Sequence, residues 1–256
     1  MLKRRLIPKL LARKANYDGN FEACISRNYS DLKMIGSLRS QLRIFESNKS
    51  DELMIINANK TPDAVDPSFI QAIKESAEML STPIMVGGGI NSINDAAALI
   101  EAGVDKVLCG VSTQNHKLHA ELASLLGSQA VSISIDYTIE QDNIFVGKRA
   151  RNRYTLASFD TLVQRILDSG AGEIILNRID FDGSQSGLDI ETLQTLIKKT
   201  SIPIILGSGA GKLEDFILAF ESGADGVATG TFFAKMDQNP LQLRSRLFNM
   251  GVNIRK

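Results

Sequence analysis

Ser201–Thr231 reads SIPIILGSGAGKLEDFILAFESGADGVATGT. A short apolar run ends at Leu206, and a glycine turn follows. Next come a segment with helical apolar spacing, Gly223-Ala224-Asp225-Gly226, and a second apolar run ending at Thr229-Gly230. Strand, turn, helix and strand in that order make a parallel pair, because parallel neighbours need a helical crossover. Ser81–Val111 repeats the design as STPIMVGGGINSINDAAALIEAGVDKVLCGV. The copies align without a gap at a constant offset of 120 residues. Pro83 falls on Pro203, Gly87 on Gly207, Gly89 on Gly209, Asp95 on Asp215, Glu101 on Glu221, Gly103 on Gly223, Asp105 on Asp225 and Gly110 on Gly230. An internal repeat of this length dictates the architecture.

Working outward, six more apolar runs and their helices complete the pattern. Arg5–Leu11 reads as the first strand, although Pro8 is unusual inside one. Ala12–Ser30 lacks a period, carries the turn signal Asp18-Gly19 and reads as a long loop; Asp31–Phe45 reads as a helix. Glu52–Asn57 is the second strand and Pro67–Leu80 an amphipathic helix. The first repeat copy supplies the third strand (Ile84–Val86), a helix (Ile93–Ala102) and the fourth strand (Lys106–Cys109). After a helix at Lys117–Leu126, Val131–Ile135 is the fifth strand, with Asp136 at its end. Tyr137–Tyr154 reads as a second long loop, turning at Gln141-Asp142-Asn143, with Ile144–Val146 as a hairpin arm. A helix at Phe159–Leu167, the sixth strand Glu173–Asn177, the polar loop Asp180–Gly187 and a helix at Asp189–Lys199 lead into the second copy. Leu241–Met250 closes the chain as a helix. Eight strand–helix units in 256 residues predict an α/β fold, a (β/α)₈ TIM barrel in one domain over residues 1–256. The repeat predicts two half-barrels, about 1–126 and 127–256.

The bulk composition excludes several classes. Twenty-nine basic and 29 acidic residues cancel, which leaves no electrostatic footprint for nucleic acid. Cys24 and Cys109 are too few for a disulfide framework or a zinc site, so a reducing, cytoplasmic compartment is expected. No apolar run approaches the ~18 residues of a membrane span. Pro8 and Lys9 interrupt the apolar core that a secretion signal would need in MLKRRLIPKLLARK. His116 and His119, three apart, lack a third ligand and read as surface residues. No metal, nucleotide or redox cofactor is indicated.

In a barrel of this kind the chemistry lies on the loops after the strands. Gly87-Gly88-Gly89 and Gly207-Ser208-Gly209-Ala210-Gly211 each follow a strand and open a helix. Glycines let backbone N–H groups approach an anion, and the helix N-terminus adds a favourable dipole. Gly110 and Thr229-Gly230 end the neighbouring strands, so each half is expected to hold one phosphate. The other possibility is that these glycines only permit tight turns. Asp136 is the candidate general acid or base, or else it only caps the following loop. Asp182 is a second candidate in the loop after the sixth strand, though Asp-Gly also simply makes a turn. Arg5, Glu52, Lys106 and Glu173 stand at the starts of strands one, two, four and six, where they would ring the bottom opening or sit as solvated charges. Lys148–Arg153 is a basic cluster inside the second long loop.

These residues resemble the cyclase subunit of imidazole glycerol phosphate synthase along nearly the whole chain. The resemblance is carried by RLIP at Arg5–Pro8, DEL at Asp51–Leu53, VGGGI at Val86–Ile90, GVDKV at Gly103–Val107, GSQAV at Gly127–Val131, Asp136, GAGEIIL at Gly170–Leu176, DFDGSQSG at Asp180–Gly187, GSGAGK at Gly207–Lys212 and GVNIR at Gly251–Arg255. It implies two phosphate sites, with Asp182 counted beside the glycine turns. It also implies a glutaminase subunit docked at the bottom and ammonia passing through the barrel. Arg5, Glu52, Lys106 and Glu173 match the family's channel gate, and Asp105 matches a docking residue.

The departures are as informative. The family uses two carboxylates, ending the first and fifth strands. Asp136 matches the second, but Leu11 stands at the first, and a leucine cannot transfer a proton. Asn57 replaces the Asp that ends the second strand, the lysine of the loop after the first strand has no match, and Gly110 and Val111 replace polar residues. The pattern is similar to second-copy cyclase-like proteins associated with glycosyl amidation of bacterial surface polysaccharides, which share the Pro-x-Leu-Leu first strand. The resemblance therefore implies a subunit that supplies ammonia to amidation of a phosphorylated or sugar substrate, with a separate sugar amidotransferase as a further partner. The alternatives are an authentic histidine-pathway cyclase and a non-catalytic phosphate-binding scaffold.

Overall fold

The computed structural model describes residues 4–15, 20–59, 65–111, 116–141, 143–146, 152–154 and 156–254. Asp18-Gly19, Asp142 and most of Lys148–Arg153 lie outside them. In chain order the strands are β1 (Arg5–Lys14), β2 (Phe21–Ile25), β3 (Lys33–Ser37), β4 (Leu53–Asn57), β5 (Ile84–Gly87), β6 (Lys106–Gly110), β7 (Val131–Glu140), β8 (Asn143–Val146), β9 (Asn152–Tyr154), β10 (Glu173–Arg178), β11 (Ile204–Gly207) and β12 (Gly226–Thr229). The helices are α1 (Leu38–Ser47), α2 (Pro67–Ala77), α3 (Ile93–Glu101), α4 (His116–Leu126), α5 (Leu156–Asp168), α6 (Ile190–Ile197), α7 (Leu213–Glu221), α8 (Thr231–Lys235) and α9 (Pro240–Asn249).

Eight strands pair in parallel in the order β1-β4-β5-β6-β7-β10-β11-β12 and close through β12 onto β1. This is the (β/α)₈ barrel that the alternation predicts. The strands read as continuous apolar runs because both faces are covered. Outward residues such as Leu6, Leu10, Leu53 and Ile55 pack under the helices. Inward residues Ile7, Met54, Met85, Leu108, Ile175, Ile205 and Ala228 form a separate dry layer on the axis. On β1 the period of two therefore sends Arg5, Ile7, Lys9 and Leu11 inward.

Elements β5, α3 and β6 begin at positions that differ by 120 residues from the starts of β11, α7 and β12. The turns match in detail. Gly88 and Gly89 have φ of +94° and +93°, and Ser208 and Gly209 have +73° and +96°. Asp95 accepts hydrogen bonds from the Asn91 N–H at 3.0 Å and the Ser92 hydroxyl at 2.8 Å. Asp215 accepts from the N–H groups of Gly211 and Lys212 at 2.7 and 3.0 Å. Each aspartate ties its glycine turn to the first turn of its helix, where a negative charge is also favoured by the dipole.

Two expected loops are folded differently. Ala12–Ser30 contains strand: β1 continues to Lys14, and β2 returns antiparallel along Leu11–Lys14. The segment expected as a helix from Asp31 begins as β3; Gly36, at φ +121°, stops a helix there, and Ser37 caps α1 by accepting the Ser40 N–H at 3.1 Å. In Tyr137–Tyr154, β7 runs on to Glu140 and pairs antiparallel with β8, which contains the expected hairpin arm Ile144–Val146 and pairs in turn with β9. Asp136 thus lies inside β7 and not at its end. The barrel pairing of β7 with β10 nonetheless stops at Tyr137, so Asp136 still sits at the rim. The short helix α8 carried no recognisable period. His119 is fully buried rather than a surface residue. Asp189 caps α6, accepting the Thr192 N–H at 3.0 Å.

Candidate active site and base of the barrel

The base is built from the first inward residue of four strands. Arg5 is paired with Glu52 at 2.8 Å and with Glu173; Lys106 reaches Glu52 at 3.0 Å and Glu173 at 3.5 Å. The four expected charges therefore form one closed ring, with the Ser132 hydroxyl donating to Glu173 at 3.1 Å. Both carboxylates are buried, while the cations keep about a fifth of their side chains open to solvent. Burial and the neighbouring Glu173 charge push the Glu52 carboxyl up, against the pull of Lys106 and Arg5. Burial lowers the Arg5 guanidinium, but Glu173 and Glu52 outweigh it and its net shift is upward. Asp105 is exposed beside this ring and accepts the Ile84 N–H at 2.8 Å. Asp225 makes the matching bond to Ile204 at 3.0 Å.

Above the ring lies the dry layer, and above that a mouth cavity of about 590 Å³ lined by, among others, Lys9, Leu11, Tyr29, Ile56, Asn57, Ser134, Asp136 and Asn177. Leu11 and Asp136 share this rim. Asp136 Oδ1 accepts three hydrogen bonds: from the Ser134 hydroxyl at 2.7 Å, the Asn177 amide at 3.0 Å and the Tyr29 phenol at 3.1 Å. These three bonds hold the carboxylate in one orientation. Leu11 faces Ile56 across the β1–β4 register, as Asp136 faces Asn177 across β7–β10.

Tyr29 and Lys9 were not singled out by the sequence reading. Tyr29 and its neighbour Asn28 both sit in the left-handed region, at φ +56° and +51°. Such strain persists only where surrounding contacts enforce it. Here the Tyr29 N–H and the Ser26 hydroxyl donate to Asp182, and the phenol caps Asp136. Burial, then the Asp136 and Asp182 charges, push this phenol well above its usual range, so it remains a donor. Lys9 was discoverable: an inward Arg5 makes Lys9 inward as well. Tyr29 lies where no period exists.

The glycine positions divide between the halves. Ser208, Gly209, Thr229 and Gly230 line one recess with Lys9 and Asp182. A Cβ on Gly209 would collide with the Gly187 carbonyl, and one on Gly230 would sit 2.6 Å from the Lys9 carbonyl. At Gly110 a Cβ would meet nothing within 4 Å. Gly88 lines the mouth cavity with Gly89 and Gly110, whereas Gly87 and Gly211 pack against the Leu108 and Gln185 carbonyls and Gly207 packs against the Asn177 side-chain amide. Asp182 spends its carboxylate on Ser26, Tyr29 and Lys9. Both cysteines are buried thiols, and burial pushes Cys109 up to about 12.

Residues 22–238 match the family model described as histidine biosynthesis protein. The imidazole glycerol phosphate synthase subunit HisF of Vibrio cholerae is 31% identical over 266 residues, covering all of both chains. The chain belongs to the HisF-like cyclase family of imidazole glycerol phosphate synthase. Another member, from Escherichia coli, is 31% identical over 267 residues, covering 100% of this chain and 99% of that protein. A Prochlorococcus marinus protein provisionally named imidazole glycerol phosphate synthase subunit hisF2 is 36% identical over 262 residues, again covering 100% and 99%. Among the described residues no helix is long and apolar enough to cross a membrane.

Proposed function

We propose that the chain is the barrel subunit of a glutamine-dependent amidation complex in surface-sugar biosynthesis. A glutaminase subunit docks at the base around Asp105 and releases ammonia there. Ammonia passes the Arg5–Glu52–Lys106–Glu173 ring and crosses the Ile7–Met54–Met85–Leu108 layer, which admits a neutral molecule and rejects an ion. At the mouth it attacks a phosphorylated or sugar substrate, or passes to a separate sugar amidotransferase. The phosphate rests on the Gly207–Gly211 turn with Thr229 and Gly230, and Asp136, oriented by Ser134 and Asn177, moves the proton. The two glycine turns are read as the matched sites of two half-barrels, about 1–126 and 127–256, with the Gly87–Gly89 site the weaker.

One observation carries this reading. The ring at the base is closed and paired throughout, yet at the rim Leu11 occupies the place opposite Asp136 where the resembled family has its other carboxylate. Reconstitution with the glutaminase is the test, following glutamine hydrolysis and the fate of ammonia. Ordinary turnover of ammonia and the family's imidazole precursor by this chain alone would sink the proposal.

That outcome would favour the second reading, an authentic histidine-pathway cyclase. Its support is the full-length identity to proteins named HisF and the hydrogen-bonded Asp136. A third reading, a phosphate-binding scaffold, would be favoured if no glutaminase co-purifies and Glu52→Ala and Lys106→Ala leave every measured property unchanged.

A further inference from the structure

We propose that Lys9 is the charged contact of the second-half anion site. The site then takes a phosphate monoester whose organic part lies in the mouth cavity. This rests on reading the Gly207–Gly211 turn as a phosphate cradle, and adds a residue and a ligand class to it.

Lys9 projects inward between Ile7 and Leu11 and is only 8% exposed. Lysines are rarely this buried unless a partner holds the charge. The partner here is distant: Asp182 Oδ1 is 3.8 Å from Nζ, beyond the range of a charge-assisted hydrogen bond. The face of Tyr29 lies 5.8 Å away. Asp182 meanwhile already accepts from Ser26 and the Tyr29 N–H. An anion beside Nζ would therefore complete the coordination of Lys9.

The position of Lys9 decides what that anion is attached to. It lines both the recess with Ser208, Gly209, Thr229, Gly230 and Thr231 and the large mouth cavity. It is the only cation among the described residues lining either. The Ser208 hydroxyl in the recess is buried, with the Tyr29 phenol as its neighbour. Asp182 on its own would repel a phosphate from this recess; Lys9 offsets that charge. The recess holds only about 10 Å³, so phosphate binding requires the Gly183–Ser186 turn to shift outward. The ester's organic group then extends past Lys9 along Leu11 and Ile56. At the opposite end the lining is uncharged among the described residues, with Asn57, Asn59, Asn91 and Gly110, and the proposed ligand has one anionic end.

Calorimetry of the full chain with inorganic phosphate, a hexose, a hexose monophosphate and a hexose bisphosphate tests this. The monophosphate should bind better than phosphate or the free sugar, and a second phosphate should add less than about threefold. Lys9→Met should weaken the monophosphate by about 10- to 100-fold, the scale of one hydrogen bond to a charge, while Lys9→Arg retains part of the affinity. Should Lys9→Met not fold, Asp182→Asn decides. It frees Lys9, so phosphate binding should tighten and its salt dependence steepen. Wild-type affinity in Lys9→Met, or unchanged or weaker binding in Asp182→Asn, overturns the role of Lys9 and leaves the cradle standing. A wild-type chain that binds no phosphate compound removes the cradle itself.

Discussion

The two walls of the mouth occupy matching places in the barrel and differ in chemistry. On β1 and β4, Leu11 and Ile56 meet in register; on β7 and β10, Asp136 and Asn177 do. The second wall has a hydrogen-bonded carboxylate, and the first has two aliphatic side chains that can only pack. The same backbone can thus carry a hydrogen-bonded carboxylate on one side of an axis and aliphatic packing on the other, because each wall is a pair of inward residues and not a feature of the sheet. The comparison breaks most sharply at Asp136. In the reconstituted complex Asp136→Asn should reduce turnover by roughly 10²–10⁴-fold, the usual contribution of a positioned acid or base, whereas Leu11→Ala should change it less than about fivefold. Equal losses from the two variants would mean that the walls are not functionally distinct.

The next largest effect lies at the base, where both halves contribute to one ring. Arg5 and Lys106 each contact both carboxylates, and those carboxylates are almost fully buried. Arg5→Met removes one of the two cations and leaves two buried negative charges on a single lysine. Breaking a buried pair in this way costs roughly 3–5 kcal/mol. The measurement is a urea melt at neutral pH. A loss below about 1 kcal/mol would show that water, and not the ring, carries those charges.

Adding a carboxylate to the aliphatic wall sharpens the comparison. Leu11→Asp alone places a carboxylate beside Ile56, where no amide orients it, and an uncompensated polar group there costs about 1–3 kcal/mol. Leu11→Asp combined with Ile56→Asn reproduces the Asp136–Asn177 pairing. The double variant should therefore be more stable than the single one and closer to cyclase activity with ammonia. A single variant that matches the double in both respects would show that Asn177 is not what makes Asp136 effective.

Much of this was legible in the chain, for physical reasons. Barrel strands buried on both faces leave apolar runs, and the glycine turns leave a fixed spacing, so the repeat and the closed sheet follow from Pro83–Gly110 and Pro203–Gly230. The ring was legible because a charge at the start of an apolar strand has few places to go. Of the four arms only β8 was legible, as the hairpin arm Ile144–Val146; β2, β3 and β9 were not. The arms stand partly outside the barrel, have no helical period, and are strands because β1 and β7 continue beyond the rim to pair with β2 and β8. Tyr29 belongs to the same blind region. Its place over Asp136 depends on two left-handed residues and on contacts with Asp182, which lies 153 positions later in the chain.

Tyr29 is also the subject of the smallest effect. Among the described residues its phenol is one of two, with Tyr137, that burial and neighbouring carboxylates push well above the ordinary value of 10.0. A phenol raised in the folded state contributes stability that is complete below its unfolded value and is lost as pH climbs through the folded one. Spectrophotometric titration should therefore find both groups silent near pH 10 and ionising only as alkaline unfolding sets in, out of 4 tyrosines in the chain. Tyr29→Phe removes one of three hydrogen bonds to Asp136 Oδ1 while Ser134 and Asn177 keep the other two. The expected loss is about 1 kcal/mol at neutral pH, with a smaller alkaline dependence because one of the two raised phenols is gone. An alkaline limb unchanged in Tyr29→Phe would place Tyr29 in water and detach the β2–β3 arm from the mouth.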